Sequence, residues 1–160
     1  ELVKEFSPWR VAVEFRNRSW FEDGNRTATT LSFLERIGAV HVVCDEPQAG
    51  RGSVPSVVAV THPELAVVRF HGRNASTWYQ RTEKSGERFN YRYTQEELRE
   101  WAEPISRLAE ASAEVHVLMN NNHGNDAVVN ATQMMELLGL SWKPEQPGEL
   151  GELPGQLSLL

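Results

Sequence analysis

The stretch Leu65-Ala66-Val67-Val68-Arg69-Phe70-His71-Gly72-Arg73 is an apolar run that ends abruptly in arginines, a histidine and a glycine. A buried strand has no use for such side chains, because each must be paired or hydrated. Their clustering at one end therefore points to a site and not to a core. Working outward, the same arrangement recurs. Val11 to Arg16 is a short β-branched run, and Ala39 to Asp45 is a second apolar one. Between them Leu31, Leu34 and Ile37 keep a helical spacing that Gly38 closes as a C-cap. Glu46 to Pro63, with its prolines and glycines, reads as a surface connection. Thr94 and Glu97 form a capping box ahead of Leu98, Trp101, Ile105 and Leu108, and Pro104 should kink or interrupt that helix. Val115 to Met119 is the fourth strand. Ala127 to Leu138 is the last helix, with Val128, Ala131, Met135 and Leu138 on one face and Gly139 as its stop.

Strands that alternate with helices and are apolar on both faces predict an α/β fold with a parallel sheet. In such sheets the site lies at the carboxyl ends of the strands. The polar clusters fall there: Glu14-Phe15-Arg16-Asn17, Asp45-Glu46, Arg69 to Arg73, and Asn120-Asn121-Asn122-His123.

Composition bounds the rest. The chain has 160 residues, 40% of them hydrophobic, enough for one domain with a sizeable core. A net charge of -6 excludes an all-over basic coat for nucleic acid, though not a local anion site. The single Cys44 excludes an internal disulfide and fits a reducing compartment. No run approaches the roughly 18 apolar residues of a membrane span, so no membrane is expected and the default location is cytoplasmic. Residues 141–160, rich in Pro, Gly and Glu, read as a flexible C-terminal tail beyond a domain of 1–140.

Five segments together resemble the YecE-like family, domain of unknown function 72. They are Val13-Glu14-Phe15-Arg16-Asn17-Arg18-Ser19-Trp20, Val42-Val43-Cys44-Asp45, Val68-Arg69-Phe70-His71-Gly72-Arg73, Arg88-Phe89-Asn90-Tyr91-Arg92-Tyr93 before Glu97-Leu98, and Met119-Asn120-Asn121 before Asn130-Ala131. The resemblance runs from about Val11 to Leu140 and implies a TIM-barrel-like fold without a defined activity. It also implies that this chain is the family's C-terminal half, the last four βα units of an incomplete barrel. Four parallel strands do not close a barrel, so a fragment, or completion by another chain, is expected.

Glu14, Asp45 and His71 are the candidate catalytic residues. From three strand ends they also form a candidate divalent-metal site of carboxylate and imidazole ligands. Each has a plainer alternative: Glu14 as one half of a buried ion pair with Arg16, Asp45 as a loop cap, His71 as a neutral hydrogen-bonding group. Arg16, Arg69 and Arg73 are candidate anion ligands. The connection from Gly72 to Tyr93 carries five cations against two carboxylates, a local +3, interleaved with Trp78, Tyr79, Phe89, Tyr91 and Tyr93. Arginines with aromatics suit phosphate binding and base stacking, so Trp78, Arg88 and Tyr91 join the ligand-binding set; the alternative is an aromatic-anchored lid. Asn120 and Asn121 offer donors and acceptors for hydroxyls or a base edge, or cap the following turn. His41 and His123 read as structural.

The last five residues, Gln156-Leu157-Ser158-Leu159-Leu160, resemble the peptide by which bacterial replication and repair proteins dock on the DNA sliding clamp, with Leu160 where Phe is usual. Two functions follow as expectations. One is a hydrolase, possible metal assistance included, acting on a phosphate-bearing or nucleic-acid substrate at the barrel mouth. The other is a non-catalytic anion-binding or adaptor domain that docks on the clamp through its tail.

Overall fold

The computed structural model describes residues 2–50, 52–79 and 89–141. Its elements are α1 (Leu2–Glu5), β1 (Ala12–Val13), a 3-10 turn (Arg18–Phe21), α2 (Gly24–Ile37), β2 (Val40–Asp45), β3 (Ala66–Phe70), α3 (Gln95–Arg99), α4 (Ala102–Ala111), β4 (Val115–Met119) and α5 (Asp126–Leu137). The four strands form one sheet in the order β1-β2-β3-β4, every pair parallel. Among the described residues no helix is long and apolar enough to cross a membrane.

Local signals set the helix ends. The Asp23 carboxylate accepts the Arg26 N–H at 2.8 Å to open α2 at Gly24, well ahead of Leu31, the first residue of the periodic pattern, and Gly38 closes it with a φ of 70°. Thr94 and Glu97 make the expected reciprocal box at α3. Pro104 lies in the first turn of α4, where a missing N–H costs nothing, and the break falls ahead of it at Glu100-Trp101.

The sheet core follows strand alternation. Side chains one residue apart point to opposite faces, and the two faces bury different sets. Val43, Ala66, Val68 and Phe70 pack on Leu98, Trp101, Ile105, Leu108 and Met134 of the helices. Val40, Val42, Cys44, Leu65 and Val67 form a second cluster on the opposite face. Buried on both sides, β2 reads as a continuous apolar run, as parallel strands do.

Three expectations need correction. β1 is only two residues long, so Glu14 and Arg16 lie beyond the ladder, where their side chains pair with each other. In α5 the buried face is Asp126, Asn130 and Met134, while Val128 is 69% exposed; Asn130 is buried because its amide serves backbone groups of the segment before α3. The connection 46–65 is not wholly superficial, since Ser53, Val54 and Thr61 are buried. It takes the place of a crossover helix, and Val60 packs on the helix-side core.

Candidate functional site

Alternation also decides which polar side chains meet. Val40 and Val42 face away from the helices, and Ala12 pairs with Val40, so Glu14 and Arg16 emerge on that same face. Arg69 and His71 share the parity of Val67 and join them. There Arg16 Nη1 donates to Glu14 Oε1 at 2.6 Å, and Arg69 Nη1 donates to Glu14 Oε2. His71 Nε2 lies 3.3 Å from Glu14 Oε1, and its Nδ1 faces the Asn120 amide at 3.0 Å. Burial pushes the Glu14 carboxyl up, but the His71 interaction, the Arg16 hydrogen bond and the Arg69 charge outweigh it and hold it at about 2.

The site opens on the side of Arg16. Its guanidinium, half exposed, lies 5.7 Å from the centre of the Trp78 ring. A cleft of about 230 Å³ is lined there by Arg16, Gly52, Trp78, Tyr79 and Phe89. Trp78 and Phe89 also flank the His71 ring at 6.2 and 6.0 Å. Tyr79 fixes the rim, donating its hydroxyl to the Ala49 carbonyl and lying against Gly52, where a Cβ would come within 3.1 Å of the ring.

Asp45 belongs to a different cluster. It has the parity of Val43 and faces the helices, where its carboxylate accepts from Trp101 Nε1 at 2.8 Å, Tyr93 OH at 2.7 Å, and Arg73 Nε and Nη2 at 3.0 and 2.7 Å. Arg73 also reaches Glu97 and Glu100, and Tyr91 donates to Glu97. Burial and the Asp45 charge push the Tyr93 hydroxyl up, and the Asp45 hydrogen bond pushes the Arg73 guanidinium up. Gly72 separates the two clusters. Its φ of 87° turns the chain so that His71 and Arg73, two residues apart, serve opposite faces.

The expected trio of Glu14, Asp45 and His71 is therefore not assembled. Among the described residues, Glu14, Cys44 and His71 are the group whose potential ligand atoms lie within 4.8 Å of one another. This set fits a divalent ion poorly. Burial, with Glu14 and Glu46 nearby, pushes the Cys44 thiol up to about 12, and both Glu14 oxygens already accept from guanidinium groups. Arg73 and Tyr91 are committed to the helix-side network. Asn121 is buried and its amide donates to the Tyr91 carbonyl and to Asn130 Oδ1, while its own Oδ1 has no hydrogen-bond partner among the described residues. Neither Asn120 nor Asn121 caps α5, whose N-cap is Asn125. His41 is buried, with Nε2 3.0 Å from the Val57 carbonyl and its imidazole pushed down by burial; His123 is exposed. Arg88 and the tail residues Gln156 to Leu160 lie outside the described residues.

Sequence reasoning missed Cys44 and Glu46. Cys44 was legible from parity, since it alternates with Val43 and Asp45. Glu46 follows the strand end, and its burial depends on the loop that folds back over it. Its Oε1 accepts the Val54 N–H, and burial pushes its carboxyl up.

The architecture and the site define a class: a parallel α/β protein whose polar groups gather at the carboxyl ends of its strands. The chain belongs to the family described as Protein of unknown function DUF72, whose model matches residues 1–151. The match is wider than the 11–140 stretch carrying the motifs, so the narrower description as a C-terminal half gives way to the family assignment itself. The UPF0759 protein YunF of Bacillus subtilis (strain 168) is 44% identical over 144 residues, which are 87% of this chain and 50% of that protein. A crystal structure of a DUF72 family protein (EF0366) from Enterococcus faecalis V583 is similar with a TM-score of 0.81 at 35% identity, covering 91% of this chain and 54% of that one. Another, TM1631 from Thermotoga maritima MSB8, gives 0.75 at 34% identity, covering 86% and 49%. The chain thus spans about half the length of the relatives it matches.

Proposed function

We propose that this protein binds an anionic, phosphate-like ligand at the carboxyl ends of β1 to β3, in the cleft between Arg16 and Trp78. The observation that carries this reading is that Arg16 and Arg69 share the single carboxylate of Glu14, and that the Arg16 guanidinium is half exposed on an aromatic ring at the mouth of a cleft. Glu14 stays ionised and fixes both guanidiniums. Neither is spent fully, so an anion adds charge-assisted hydrogen bonds without first breaking a closed network. Trp78 and Phe89 supply apolar faces against which a base or sugar ring stacks.

Hydrolysis of a phosphate-bearing or nucleic-acid substrate at the same place is the second reading. The line from Glu14 through His71 to Asn120 favours it, because it holds an imidazole between a carboxylate and an amide. His71 is buried with both ring nitrogens engaged, which favours binding over proton transfer as its first role. We also propose that the four βα units belong to a TIM-barrel-like fold. The consecutive parallel order and the 45% exposure of Leu118, on the face of β4 away from the helices, support this. Docking on the DNA sliding clamp through Gln156 to Leu160 stands as a separate proposal.

Titration calorimetry with inorganic phosphate and with a nucleoside monophosphate tests the anion reading. Arg16→Ala should weaken both at least about tenfold, the loss of one charge-assisted contact, while the melting temperature hardly moves. Wild-type protein that binds neither anion would sink the reading.

A further inference from the structure

Glu46 is the carboxylate at this end of the sheet that the anion reading leaves unused. Its side chain is fully buried, and it is held firmly. Oε1 accepts the Val54 N–H at 2.5 Å. The loop supplying that N–H is itself pinned by Gln48, whose Nε2 donates to the carbonyls of Glu46 and Val54 at 3.1 and 3.0 Å. Oε2, by contrast, has no hydrogen-bond partner among the described residues, and Arg16 Nη1 stands 3.9 Å away. Arg69 Nε, at the same end, is a buried donor equally without a partner. Unmatched buried polar atoms cost free energy. Here an acceptor on a rigid support, Glu46 Oε2, stands beside Arg16, and Arg69 keeps an unspent donor at the same end of the sheet.

We propose that Glu46 selects the ligand by hydrogen-bonding a hydroxyl next to its anionic group, so that the site takes hydroxylated phosphate esters, such as polyol or sugar phosphates, in preference to bare phosphate. The inference rests on the anion reading and names its ligand class. An ionised phosphate oxygen brings no proton to a carboxylate and is repelled by it, whereas a hydroxyl both donates and accepts. Glu14 does not fill this role, since Arg16, Arg69 and His71 occupy its two oxygens. Arg16 is the movable part. It spans from Glu14, at 2.6 Å, to Glu46, at 3.9 Å, with its exposed side on Trp78. A phosphate group that draws the guanidinium toward the cleft uncovers Oε2 for the neighbouring hydroxyl. The ligand is then held at two points, the anion on Arg16 and the hydroxyl on Glu46.

The test is calorimetric titration of the 160-residue chain with inorganic phosphate, ethyl phosphate and glycerol 3-phosphate. The two esters share a charge and differ in hydroxyls. Wild-type protein should bind glycerol 3-phosphate about tenfold more tightly than ethyl phosphate, the effect of one hydrogen bond to a charged group. Glu46→Leu should bring that ratio to about one, and Glu46→Gln, which keeps an acceptor and the Val54 contact, should preserve much of it. A wild-type ratio near one overturns the inference even if Glu46→Leu does not fold, and so does a ratio that Glu46→Leu leaves intact. Inorganic phosphate binding with a ratio near one removes this inference alone. Failure of all three probes to bind removes the anion reading and this inference with it.

Discussion

Asp45 and Glu14 stand at the ends of adjacent strands, carry the same charge and bind arginines, yet one is a closed structural knot and the other an open site. Asp45 faces the helices and accepts hydrogen bonds from Trp101, Tyr93 and Arg73 on both carboxylate oxygens, with no edge left to a ligand. Glu14 faces the other way, and the guanidinium of Arg16 that it holds is half in solvent. A carboxylate beside an arginine is thus no sign of function until the exposure of the arginine is known.

The comparison breaks most easily at Asp45. Asp45→Ala takes the carboxylate acceptor from the buried Trp101 and Tyr93 donors and leaves Arg73 only Glu97 and Glu100, and should cost about 3–5 kcal/mol of folding stability, read by urea denaturation. A smaller loss than that of Glu14→Ala would reverse the assignment of the two clusters. Gly72 comes next. A Cβ there would lie 2.7 Å from that of Tyr91, and the φ of 87° is strained for any L residue. Gly72→Ala should cost about 1–3 kcal/mol and disturb both clusters at once, giving a lower melting temperature together with weaker phosphate binding. Normal binding in a destabilised variant would mean that the turn matters for Asp45 alone.

The third effect is in the pH dependence. Glu14 has an ordinary pKa of 4.5 and one of about 2 in the fold. A depressed carboxyl pKa stabilises the fold above the unfolded value, and that contribution is lost as pH falls through the window from 4.5 to about 2. Glu46, pushed up by burial, acts in the opposite sense in both wild type and variant. Glu14→Gln should therefore lose less stability than wild type across that window, measured by acid titration of the melting temperature. Parallel curves for the two proteins would show that Glu14 is not held down by its partners.

Much of the fold was legible from residues alone. The alternation of apolar runs with helical spacing, the Thr94–Glu97 box and the Gly38 stop are local signals, and local backbone preferences act on them directly. The polar strand ends were legible for the same reason, since charge cannot continue into a strand buried on both faces.

By itself, then, the sequence determined the parallel α/β class and the end of the sheet where chemistry gathers. Tertiary structure decided the partners. Whether Asp45 joined Glu14 or Trp101 depended on which face each strand turned to the helices and on the turn at Gly72, and the burial of Glu46 on a loop returning over it from Val54. Such contacts join residues far apart in the chain, and no local preference carries them.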